Sequence, residues 1–103
     1  MAKLQLVANP TFTALVAIPV AGGAAVAVEF IFRHRTKTEL NAFIASRADK
    51  SNAETMLDMV QGWNLDEPFN AANVDLLLEN YIGTAVVAYH AYVDELVKTK
   101  VKN

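Results

Sequence analysis

The 103-residue chain has no cysteine. That excludes disulfides, thiolate metal sites and a cysteine nucleophile, and it is compatible with a reducing compartment. Histidine is nearly as scarce: His34 and His90 are far apart in sequence. His90 and Asp94 would share a helix face, which reads as a surface hydrogen-bonded pair, since one imidazole and one carboxylate fall short of a metal set. Ser46 and Ser51 have no neighbours that would activate a hydroxyl. Gly22-Gly23 is too short to cradle a phosphate, and no helix start follows it. Asp66-Glu67 reads as an exposed, charged turn. No catalytic, cofactor-binding or metal-binding residues are expected, and the chain is not read as an enzyme.

Positive charge is also in short supply. Between Asp49 and Glu95 a single base, Lys50, stands against nine acids, and the net charge is −2. A general nucleic-acid binder needs the opposite balance. The possible helix–turn–helix carries Glu54 and Asp58 on its second helix, and phosphate would repel that face. Bases gather instead at Arg33, Arg35 and Lys37, and at Lys98, Lys100 and Lys102. The second group reads as a solvated helix end that suits the helix dipole.

A continuous apolar helix is missing too. Ala14 to Phe32 carries one charge, Glu29, over nineteen residues, which reaches the ~18-residue length of a membrane span. Ala25-Val26-Ala27 would pass for a signal-peptidase site. Pro19 and Gly22-Gly23 break the run, however, and its flanks are β-branched or aromatic. A sheet is expected there, and no membrane partner.

Apolar residues make up 53% of the chain, above the usual ~45–50%. The length suits one domain, residues 1–103, with strands over about 3–34 and helices over about 36–99. Lys3–Ala8, Phe12–Ile18 and Ala24–His34 read as strands. Val26, Val28, Phe30 and Phe32 place bulk at alternate positions, the mark of one buried sheet face. The period then lengthens. Thr36-Lys37-Thr38-Glu39 and Ser51-Asn52-Ala53-Glu54 are capping boxes that open two helices. The first has Leu40, Phe43, Ile44 and Arg47 on one face, the second Met56, Met59 and Val60, with Gly62 as a stop. Asn70 caps a third helix with a Val74, Leu77, Leu78, Tyr81 stripe. The last runs from about Ala85 to Val97, with Val86, Tyr89, Val93 and Leu96 along one side. The fold class is α+β: an N-terminal antiparallel β-hairpin or three-stranded meander, then four α-helices, or three if the last two fuse.

Between the second and third helices lies Val60-Gln61-Gly62-Trp63-Asn64-Leu65-Asp66-Glu67-Pro68-Phe69, with the only tryptophan. Trp63, Leu65 and Phe69 fit first a plug between helices, and second an anchor for another protein, since Trp is favoured in both settings. This segment, followed by Asn73, Leu77-Leu78-Glu79-Asn80-Tyr81, Ala85 and Ala91-Tyr92, resembles the tail assembly chaperones of long-tailed bacteriophages. The likeness covers roughly residues 56–97. Ile82 departs from it, standing where that family often has proline after the tyrosine. That departure leaves two readings open, a break after Tyr81 or a more continuous helix over Asn70–Val97.

The resemblance implies a non-enzymatic protein of the host cytoplasm. It would bind the tape measure protein during tail assembly, shield its apolar surface and associate with copies of itself. The residues expected to meet a partner are Trp63, Leu65, Phe69, Leu77, Tyr81 and Tyr92. The alternative is a tail-tube or completion protein retained in the virion.

Overall fold

The computed structural model describes residues 4–98. Lys3, Lys100 and Lys102 lie outside the described residues.

Alternation of bulk builds the sheet. Strand β1 (Thr11–Ile18) pairs antiparallel with β2 (Val26–Arg33), in a register that sets Phe12 opposite Phe32, Ala14 opposite Phe30 and Val16 opposite Val28. Those residues face inward, and Val16, Val28, Phe30 and Phe32 are buried. The intervening positions face outward and include Leu15 and Ile31. The strands are joined through Val20–Gly23, where Gly23 N–H donates to Val20 O at 3.1 Å and Gly22 has φ +75°. A positive φ at the third position is the type II turn, which glycine adopts without steric cost.

Each capping box forms as its residues require. Thr36 opens α1 (Lys37–Ser46) and Ser51 opens α2 (Asn52–Met59), each hydroxyl accepting from the N3 backbone while the N3 glutamate accepts from the cap N–H. A short 3₁₀ turn, Arg47–Asp49, joins the helices. Two more follow, α3 (Ala71–Asn80) and α4 (Thr84–Val97). The architecture is α+β, an antiparallel three-stranded sheet with four α-helices among the described residues.

The third strand comes from elsewhere than expected. Leu4–Ala8 forms no strand, and Leu4, Leu6 and Val7 are almost fully exposed. Val60–Trp63 forms β3 on the free side of β2, giving the order β1-β2-β3. Gly62 thus lies within a strand and stops no helix. It pairs with Ile31, whose Cδ1 would sit 3.2 Å from a Cβ at Gly62. The absent side chain lets Ile31 fold over the backbone there.

The helices cover the inner face. Leu40, Phe43, Met56, Met59 and Val74 are buried in one cluster with the sheet. On α4 the buried face is Ala85, Ala88 and Tyr92, whereas Val86 is exposed. The expected stripe along Val86, Tyr89, Val93 and Leu96 is therefore rotated. Small residues let α4 lie close to β1, so contact follows alanine where bulk alone suggests otherwise.

Tyr92 lies beneath the sheet among Phe12, Phe32 and Phe43, with ring centroids 5.2–6.0 Å away. Its hydroxyl donates to Arg33 O at 2.7 Å and accepts from Arg35 Nη1 at 2.9 Å. Burial pushes the phenol above its usual range, only partly offset by the Arg35 hydrogen bond and charge. Arg35 also pairs with Asp58 at 2.8 Å, and Lys50 holds the second oxygen of that carboxylate. These contacts link β2, α2 and α4. Burial opposes the charge on Asp58, yet Lys50 and Arg35 outweigh it and hold the carboxyl below its ordinary value of 3.8.

Tyr81–Gly83 separates α3 from α4 without a proline. Tyr81 leaves helical geometry at φ −129°, ψ 82°. Its carbonyl accepts from Thr84 Oγ1 at 2.7 Å and from Thr84 N–H at 3.0 Å. The hydroxyl and amide of one threonine thus satisfy the turn that proline would otherwise enforce.

Candidate protein-binding groove

The segment after β3 is held by its own polar groups. Asn64 N–H donates to Glu29 O at 3.1 Å, and Glu29 N–H donates to Asn64 Oδ1 at 3.0 Å, so the chain stays pinned to β2 past the strand end. Trp63 Nε1 then donates to Glu67 O at 2.7 Å, closing a tight loop. Phe69 meets the indole edge to face, 5.0 Å between centroids. Asn70 caps α3 through Asn73 N–H at 2.8 Å, and Asn73 Nδ2 donates back to Pro68 O at 2.7 Å. The loop and the first turn of α3 are one hydrogen-bonded unit.

That unit forms one wall of an apolar groove of about 400 Å³. The sheet end supplies Ile18, Val20, Val26 and Val28. The loop supplies Trp63, Leu65 and Glu67. Helix α3 presents Asn73, Leu76, Leu77, Asn80 and Tyr81. A second depression of about 250 Å³ includes Val20, Asn80 and Tyr81, so it adjoins the first, and it reaches Ile82 and Gly83. Its floor includes Pro19, whose Cγ lies 3.0 Å from where a Cβ on Gly83 would sit. Around the openings, Leu76 is 58% exposed, Val26 55% and Ile82 86%. Apolar surface exposed in one place at this level marks an interaction site more often than single scattered residues do.

Four of the residues singled out in the sequence, Trp63, Leu65, Leu77 and Tyr81, come together here. Phe69 stands one layer back, packed on the indole. Tyr92 lies in the core with no exposed surface. Sequence reasoning missed the sheet-end valines and Leu76. Leu76 was legible as an apolar residue beside Asn73 and Asn80 on one helical face; the valines depend on pairing across a turn.

The arrangement has the means to hold an apolar chain segment. Among the described residues, no group of three or more His, Asp or Glu side chains is placed to hold a metal, and no helix is long and apolar enough to cross a membrane. His90 lies against Tyr89, 5.8 Å between ring centroids. No curated protein and no solved structure matches the chain. A family model described as phage tail assembly chaperone matches residues 1–103, the whole length. The chain belongs to the phage tail assembly chaperone family.

Proposed function

We propose that this chaperone acts in the host cytoplasm by holding an apolar, helix-forming segment of the tape measure protein in the groove between the sheet end and α3. The observation that carries this is the groove itself, an apolar channel flanked by exposed Leu76, Val26 and Ile82. Helix-in-groove binding needs little more than an apolar channel with anchor pockets, and the cluster of Trp63, Leu77 and Tyr81 supplies them. Cover of this kind keeps an apolar segment from aggregating before the tail is built, and it involves no bond making or breaking. The edge of the sheet at β1 joins copies of the chain to one another.

The test is co-purification with the tape measure protein encoded by the same phage. Trp63→Ala is expected to weaken the complex at least tenfold, beyond its measured loss of folding stability, as a central aromatic anchor does. Leu76→Glu, on an exposed position, should release the partner with the fold intact. If Trp63→Ala unfolds before it loses the partner, and Leu76→Glu still binds, the groove is not the site. Stoichiometric recovery of the chain from finished virions would instead establish a structural tail component.

A further inference from the structure

We propose that the occupant of the groove is a basic amphipathic helix, with Lys or Arg flanking its apolar stripe. This rests on the groove being the partner site. What it adds is the sign of the partner's charge.

Among the described residues, the charged side chain that lines the groove and those next to its lining residues on the loop and α3 are acidic. Glu67 lines it, Asp66 is adjacent, and both are exposed. Glu79 is exposed on α3, three positions from Leu76 and so a neighbour on the helix surface. None of these three carboxylates forms an ion pair among the described residues, where the acids in salt bridges are Asp58 and Glu95.

Four of the described bases are engaged elsewhere. Arg35 and Lys50 hold Asp58, and Arg33 Nε donates to Asp58 O. The Arg47 guanidinium stacks 3.5 Å over Tyr89. Along β2, five steps of ~3.3 Å place Arg33 roughly 16 Å from Val28 in the groove wall. That exceeds the Debye length of about 10 Å at 0.1 M salt, so those bases do little to neutralise the groove. An apolar stripe seats in the channel whatever charge surrounds it; the flanking charge decides which stripe is accepted.

Trp63 is the only tryptophan and lines the groove, so its emission reports occupancy. The probes are two tryptophan-free helical peptides with the same leucine–phenylalanine stripe, one flanked by lysines and one by glutamates. At about 0.1 M salt, where the distant bases are screened, the lysine peptide is expected to bind about tenfold more tightly or better. The difference should close as salt approaches ~1 M, where the Debye length falls to about 3 Å. The double variant Glu67→Lys, Glu79→Lys alters two exposed side chains, with folding checked by circular dichroism. It should reverse the preference. Leu76→Glu should abolish binding of both peptides.

Equal binding of the two peptides, lost in Leu76→Glu, would overturn the charge requirement and leave the groove reading standing. Lysine-peptide binding that ignores Leu76→Glu would be attraction to an acidic surface, and would also overturn it. If neither peptide alters Trp63 emission up to millimolar concentration, the proposal and the groove reading both fail.

Discussion

Tyr92 does two jobs with one side chain. Its ring fills the space under Phe12 and Phe32, and its hydroxyl closes hydrogen bonds to Arg33 O and Arg35 Nη1. Tyr92→Phe keeps the ring and removes both hydrogen bonds, though Arg35 Nη1 still donates to Asp58 O at 3.1 Å. A loss of about 1–3 kcal/mol in urea unfolding is expected, the range for an unsatisfied buried partner. Partner binding should persist, because Tyr92 is outside the groove. Asp58 sets the acid limit of the same contact set. Its folded pKa lies below the ordinary 3.8, so it supports stability above that value and loses the contribution as pH falls through the lower folded value. Thermal melts should show stability dropping below about pH 4, and Asp58→Asn should flatten that acid limb. The side chain is 31% exposed, so added salt should shrink the effect.

Helices were legible in the sequence where local chemistry decides them. Thr36, Ser51 and Asn70 cap as their side chains dictate, and each helix starts at the next residue. Strand β3 was hidden, because Val60-Gln61-Gly62-Trp63 is too short for a period-two pattern to emerge, and Gly62 mimics a helix stop. Leu4–Ala8 shows the converse: its alternation suits a strand, yet it pairs with neither edge of the sheet. The groove was half legible. Trp63, Leu65, Leu77 and Tyr81 stand out by type, but their convergence on Val26 and Val28 comes from strand pairing across a turn, which local sequence does not encode. A further junction between elements is visible only in space. The β1–β2 turn meets the α3–α4 turn where Gly83 leaves no room over Pro19. Gly83→Ala would press a methyl on a rigid ring and force the two turns apart. A loss of about 1–3 kcal/mol is expected, as for other overpacked sites, read as a lower Tm with weaker groove binding.

At the scale of the molecule, the order β1-β2-β3 leaves one side of β1 as an outer edge. Its eight residues carry no charge, and Leu15 among them is 66% exposed. Natural edges usually carry lysine, proline or a bulge to prevent pairing. Leu15→Lys is therefore expected to shift sedimentation toward monomer while leaving peptide binding in the groove unchanged. An unchanged sedimentation profile would exclude this edge from self-association. The position of Tyr92 in the chain has a consequence for synthesis. It follows Arg33 by 59 residues. At ~5–20 residues per second the ribosome needs about 3–12 s to cover that distance. For those seconds the emerging hairpin carries Phe12 and Phe32 without their lid, and a tail assembly chaperone is itself, while being made, in need of a guard.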